Sequence, residues 1–441
     1  MAAIPARKAA MVRMVVEKSP DSVLERLRAA LAGTSGRLAE VREMVEAERE
    51  RRRAMNFAFR PLMALSNHAD GSHFPTEVRD RLWAEISDLQ PGLVDMLDDR
   101  RLADGAADKI CGVAAGLLRD DPTSWTQVDA LDLASDFDLV TRLRDLPDLL
   151  PELTGRPSDE AVTHFRLVLR DAQAMHEDGV MRVLRILSAH LAAHPAQTLR
   201  LVALSAPNAE QEAVIEGSEL SALVEGLITR SEAAGEVYLS IDPASASEAE
   251  VKAADRKLHL AVEILAEVAL TLQLRPGGAW ATRQRTLRRR LTDRAVHDMK
   301  AALKAVEKAL PLASARIARG MTRKAPDLGA DPDSPAIGEA QRRLILFAGL
   351  KAAAAILGCA AEKARIGETL DLRLADYVEE AVNRLNDGEV EDRARAARLI
   401  ERAADFLDRL GDGALATAAR RRLAAAEQRA QEDPLGSIRV A

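Results

Sequence analysis

From Leu258 to Leu274 the sequence is apolar at almost every position, with His259, Glu263, Glu267 and Gln273 marking a narrow wetter side. A helix that is apolar on most faces must be covered on most faces, so this segment demands several neighbouring helices. Arg275-Pro276-Gly277-Gly278 stops it, and a second helical pattern runs from Trp280 to Pro311. At the standard rise that second helix is about 45 Å long, and it carries the densest positive charge in the chain. Residues 283 to 324 hold thirteen Lys or Arg against Asp293, Asp298 and Glu307.

The rest of the chain must supply the covering helices. Aromatics make up only 3% of the 441 residues, against 47% apolar residues in all, and Ala, Leu, Arg and Glu dominate. Cores of small and aliphatic side chains suit closely packed helices. The expected fold class is therefore all-α: an irregular multi-helix array, or bundles of antiparallel helices, with essentially no β-sheet. Val237-Tyr238-Leu239-Ser240-Ile241 is the one internal run with strand character, and it is too short and isolated to imply a sheet. Aligned anchors do not recur at a fixed period, which argues against a tandem of standard helical repeats.

Turn signals divide the chain. A loosely ordered N-terminus is expected over residues 1–20, with Arg7, Lys8, Arg13 and Lys18 around a short Met-Val patch. An N-terminal helical domain is expected over 21–240, and a C-terminal one over 248–432, with Asp242 to Ser247 as the linker between them. Within the second domain, Pro326, Pro332 and Pro335 with three aspartates mark a mobile loop at 325–337. Gly411 is placed to cap the helix 391–410, and residues 433–441 read as a flexible tail.

Charge patterning gives three candidate polar features. Glu46 to Arg53 alternates in sign at the spacing of ion pairs on a solvated helix face, and Pro61 should end that helix near Phe57 to Phe59. Residues 120–160 hold eleven Asp or Glu against Arg142, Arg144 and Arg156, and read as a solvated acidic face or as a partner for the basic helix. On the basic helix, an apolar stripe runs through Leu287, Leu291, Met299, Leu303, Val306 and Leu310. Arg289, His297, Lys300, Lys304 and Lys308 form a row about a third of a turn away. Arg288, Arg289, Lys300, Lys304 and Lys308 are the candidate residues for binding an anionic partner.

Catalytic signatures fail in turn. The sequence has no phosphate-binding loop of the form G-x-x-x-x-G-K-[ST], no G-x-S-x-G elbow and no βαβ context for a dinucleotide. No cofactor is expected. Cys111 and Cys359 stand alone, which supports neither a disulfide framework nor a thiolate zinc site and fits a reducing compartment. His68, Asp70 and His73 share one loop, and His190 and His194 are four residues apart on an expected helix from Gly179 to His194. Turn chemistry explains the first group and helix-dipole complementarity the second better than metal binding does. No window has the uncharged apolar length of a membrane span.

These readings lead to a cytoplasmic, non-enzymatic helical scaffold or adaptor that binds protein partners, acidic ones among them, through helical surfaces. The alternative is a nucleic-acid-associated or regulatory protein binding phosphate through the basic helix 283–308, although the net charge of -7 and the lack of interleaved aromatics disfavour it. An enzyme of unrecognised class is the third reading.

Overall fold

The computed structural model describes residues 5–66, 73–89, 92–316 and 322–432. It is an all-α array of twenty α-helices among those residues, joined by short 3₁₀ turns and accompanied by one two-stranded hairpin. The chain divides into two compact units, Met1–Leu220 and Ser221–Ala441. The division precedes one more helix than the turn signals imply, and the 242–247 segment is a turn inside the second unit.

The first unit opens with α1 (Ala6–Lys18), α2 (Asp21–Leu31) and α3 (Arg37–Ala58). The expected loose N-terminus is thus helical from Ala6, because Val16 finds an apolar seat with Leu24 and Val45. The unit continues with α4 (Met63–Ser66), α5 (Thr76–Ile86), α6 (Leu93–Met96), α7 (Arg100–Asp120), α8 (Ala130–Leu143) and α9 (Leu146–Thr154). It closes with α10 (Asp159–Met175), α11 (Gly179–His190), α12 (Thr198–Ser205) and α13 (Glu212–Glu216). Side-chain oxygens of Asp99, Asp129 and Ser158 accept hydrogen bonds from backbone N–H groups in the first turns of α7, α8 and α10, which fixes where those helices begin.

The Glu46–Arg53 run on α3 forms ion pairs at the expected spacing, Glu46 with Arg49 and Glu48 with Arg52, but its face is not wholly solvated. Glu48 is buried, and its carboxylate accepts from Arg51 at 2.8 Å and Arg52 at 2.6 Å. Burial works to raise its pKa, but the two guanidiniums hold it below the ordinary carboxylate value. Arg52 also donates to Asp21 and to the carbonyls of Ser19 and Glu17, tying α3 to the turn between α1 and α2. Most acids of the 120–160 segment are exposed, as a solvated acidic face requires, and Asp136 is the buried exception. Asp136 is 1% exposed and accepts from Arg182 and Arg185 of α11 at 2.6–3.1 Å, while Asp132 contacts the same two arginines.

The second unit is an array of α14 (Ser221–Ser240), α15 (Glu248–Thr271), α16 (Ala279–Ala309), α17 (Pro335–Leu357), α18 (Ala360–Asn386), α19 (Arg393–Leu410) and α20 (Gly413–Glu432), in which α15 packs on α14 and α17, and α16 on α17 and α14. The run Val237–Ser240, expected to favour a strand, is the last turn of α14. Tyr238 and Leu239 face helix neighbours there, and burial outweighs local β preference. A reciprocal capping box between Ser247 and Glu250 starts α15. Gly358 and Gly411 adopt left-handed φ values of 78° and 93° and terminate α17 and α19.

Between α16 and α17, β1 (Leu312–Arg316) and β2 (Thr322–Pro326) pair antiparallel, with Leu312 opposite Pro326 and Ser314 opposite Lys324. The following turn is anchored, not loose. Leu328 is buried, and Asp333 accepts from Arg398 at 2.7 Å and Arg402 at 3.1 Å, both from α19.

Candidate functional site

Helix α16 carries the candidate anion-binding residues, and its packing decides which of them face outward. Gly235 of α14 lies against Leu287, close enough that a Cβ there would sit 2.7 Å from Leu287 Cδ1, so the two helices approach tightly. That approach sets the arginines of α16 against the carboxylates of α14. Arg283 binds Glu225 and Glu232, Arg290 binds Glu236, and Trp280 Nε1 donates to Glu225 at 2.8 Å. Hydrogen bonds from Arg283 and Trp280 hold the Glu225 carboxyl below its ordinary range, and Arg290 does the same for Glu236. The basic helix therefore finds its carboxylates in the adjacent helix of its own unit.

Arg288 does not join the outward row. Its guanidinium donates to the Ile356 carbonyl in the last turn of α17, and Thr292 Oγ1 donates to Leu357 O at 3.0 Å. Those carbonyls belong to a helix end, where intrahelical partners run out. Arg288 is thus a cap of α17, a role invisible in its position on α16.

Arg289, Lys300, Lys304 and Lys308 remain on one exposed line. Lys300 stands 3.9 Å from Glu362 of α18 and Lys308 stands 3.7 Å from Glu339 of α17. Each of those acids already accepts a closer arginine: Arg365 at 2.8 Å on Glu362 and Arg343 at 2.9 Å on Glu339. Glu307 and Asp293 are the acids of α16 beside the row; Glu307 is met by Arg373 at 3.5 Å, and Asp293 stands 3.9 Å from Arg289 of the row itself. Six cations therefore meet four carboxylates, and Lys304 makes no ion pair among the described residues. The line from Arg289 to Lys308 is about 28 Å long at the helical rise.

Behind this surface lies a polar centre that sequence reasoning missed. Asp298 is 3% exposed and accepts from Arg294 Nε at 2.9–3.0 Å and from Tyr238 Oη at 2.8 Å. Burial, and then the Asp298 carboxylate, push the Tyr238 phenol upward, so it stays protonated and donates. The available signal was Asp298 itself, an acid seven residues after Leu291 on the apolar side of the helix. Asp255 of α15 lies against Gly349 of α17, where a Cβ would meet Asp255 Oδ1 at 1.8 Å. Burial raises the Asp255 carboxyl, opposed by His259 and Arg256.

His190 and His194 do not share a helix face. His68 and Asp70 lie outside the described residues. Helix α11 stops at His190, so His194 falls in the following turn and the four-residue spacing does not place both on one helix face. His190 Nε2–H donates to the Pro61 carbonyl at 2.9 Å. No three His, Cys, Asp or Glu side chains stand together as metal ligands among the described residues.

Burial depresses the His190 pKa below its ordinary value. The unfolded chain then takes up this proton first as the pH falls below about 6.5, so unfolding is increasingly favoured there and the effect ends below the folded-state pKa. We expect first-unit stability, measured by urea denaturation at a series of pH values, to fall between neutral and mildly acidic pH. His190→Gln should flatten that slope, and an unchanged slope would assign it to other groups.

A cleft of about 710 Å³ lies between the hairpin and α18, lined by Lys324, Arg373, Asp376, Tyr377, Glu380 and Asn383 among others. No described helix is long and apolar enough to cross a membrane. Comparisons of the chain with protein-family models, with curated proteins and with solved structures give no match in any of the three.

Proposed function

We propose that this chain is a non-enzymatic helical scaffold that docks an acidic protein segment along the outward face of α16, with Arg289, Lys300, Lys304 and Lys308 as the contact row. The supporting observation is the surplus of positive charge at the lysines: the carboxylates beside Lys300 and Lys308 are already claimed by arginines, Lys304 has no ion pair among the described residues, and the ammonium groups stay in solvent, while Arg289 shares its charge with Asp293. A rigid helix held on its other sides by α14, α17 and α18 presents the row without a conformational cost. The engagement of Arg283, Arg290 and Arg294 with carboxylates leaves the nucleic-acid alternative a short phosphate-contacting row.

The test is fluorescence anisotropy with a labelled glutamate-rich peptide, at low and physiological salt, beside a duplex DNA probe. Peptide binding should weaken as salt rises. Combined Lys300→Glu, Lys304→Glu and Lys308→Glu substitution should reduce affinity by about tenfold or more, since rim charges govern encounter and register. Arg283→Gln should leave the affinity nearly unchanged. Binding of the duplex alone, with a steep salt slope, would transfer the reading to phosphate recognition, and no binding of either probe at low salt would end it.

A further inference from the structure

Helix α1 is apolar on two sides. Val16 turns inward onto Leu24 and Val45, with Val12 beside it, which accounts for how the helix is held. Met11, Met14 and Val15 face away from that seat and are 50–59% exposed. They recur at the spacing of one helix face, and Arg7 and Lys18 continue the same line four residues before Met11 and four after Met14. Lys8 stands one heptad before Val15 on its flank. All three cations are exposed. The one acid of the helix, Glu17, falls outside this face, on the side that turns toward Glu40 and Glu43 of α3.

The outward face therefore has an apolar centre with cations at both ends and no carboxylate, along about 17 Å of helix. A second copy of the chain is a poor occupant, because an isologous pairing of two such faces sets cations against cations. A flat anionic surface with an apolar layer beneath its charges satisfies both parts of the pattern at once. We propose that α1 is an interfacial anchor that lays Met11, Met14 and Val15 into the headgroup boundary of an anionic lipid membrane while Arg7, Lys8 and Lys18 meet lipid phosphates. The attachment is peripheral: the helix lies in the plane of the surface and crosses nothing. It is separate from the α16 row, and either can hold without the other.

Vesicle flotation of the full chain tests this, with phosphatidylcholine vesicles compared with mixed phosphatidylcholine–phosphatidylglycerol vesicles. Binding should require the anionic lipid and weaken as salt rises. The triple substitution Met11→Ser, Met14→Ser and Val15→Ser should reduce binding about tenfold, whereas Lys304→Glu should leave it unchanged. A Met14→Trp variant reads the geometry directly, because its fluorescence should shift to the blue and be quenched by brominated lipid on binding. Equal binding to neutral vesicles, no binding at low salt, or binding untouched by the triple substitution would overturn the assignment. So would a concentration-dependent dimer that the triple substitution abolishes in the absence of vesicle binding.

Discussion

Arg294→Ala is expected to destabilise the second unit by about 3–5 kcal/mol, the cost of leaving a buried charge without its partner. Asp298 is almost fully enclosed, and Arg294 is its one cationic partner among the described residues; Tyr238 supplies a neutral hydrogen bond that does not neutralise the carboxylate. The same guanidinium donates to the carbonyls of Leu239 at 2.8 Å and Ile241 at 2.7 Å, at the C-terminal end of α14 where the helix has no donors left. One substitution therefore orphans a carboxylate and two carbonyls. Arg294→Lys should recover only part of the loss, because an ammonium cannot replace a fork that spans three acceptors. The pair Arg294→Met with Asp298→Leu should recover more, since apolar replacement of a whole buried ion pair is often neutral. Chemical denaturation followed by circular dichroism measures all three variants. A loss below about 1 kcal/mol for Arg294→Ala, the range of an exposed pair, would mean that solvent reaches Asp298.

Helices were legible wherever apolar spacing and end signals agreed. Gly411 reads as a cap from sequence and adopts the left-handed conformation that caps a helix. Pro61 reads as a helix stop, and α3 ends at Ala58. The features that sequence reasoning misread depend on residues distant in the chain. Val237 to Ile241 has β-type composition, yet Tyr238 is committed to Asp298, sixty positions onward, and the helix follows from that packing. Asp132 and Asp136 are spaced like any solvated acidic face, and only Arg182 and Arg185, 46 to 53 positions away, make Asp136 a buried member of an ion network.

The candidate site divides on the same principle. Lys300, Lys304 and Lys308 follow from helical spacing alone, and they occupy one exposed line. Arg288 differs from Arg289 by a single position, about a quarter of a turn, and nothing local distinguishes their roles. The end of α17 does, because the Ile356 carbonyl sits where Arg288 reaches it. Charge density along the helix therefore overstated the free charge, as arginine after arginine was drawn to Glu225, Glu232 and Glu236.

Phe59→Ala is expected to cost the first unit about 3–5 kcal/mol, in the range of a large aromatic removed from a closed core. The chain has few aromatics, and four of them meet at this point. Phe59, which follows the last residue of α3, contacts Phe74, Trp83 and Phe137 edge to face, with centroids 5.9, 5.6 and 5.2 Å away. Phe74 and Phe137 complete the cluster at 5.7 Å. Removing the central ring forfeits three aromatic pairs, each worth about 0.5–1.5 kcal/mol beyond its buried area, and leaves a space that rings held by separate elements cannot easily close. Phe59→Leu keeps much of the volume and should lose mainly the pair energies. Cys111 gives a local readout besides denaturation. Its thiol is buried, donates to the Ala58 carbonyl, and is pushed up to about 12 by burial, so in the native protein it resists alkylation. Phe59→Ala should accelerate labelling of Cys111 and leave Cys359 of the second unit unchanged. Slow labelling of Cys111 together with a small loss of stability would show that the neighbouring rings repack without Phe59.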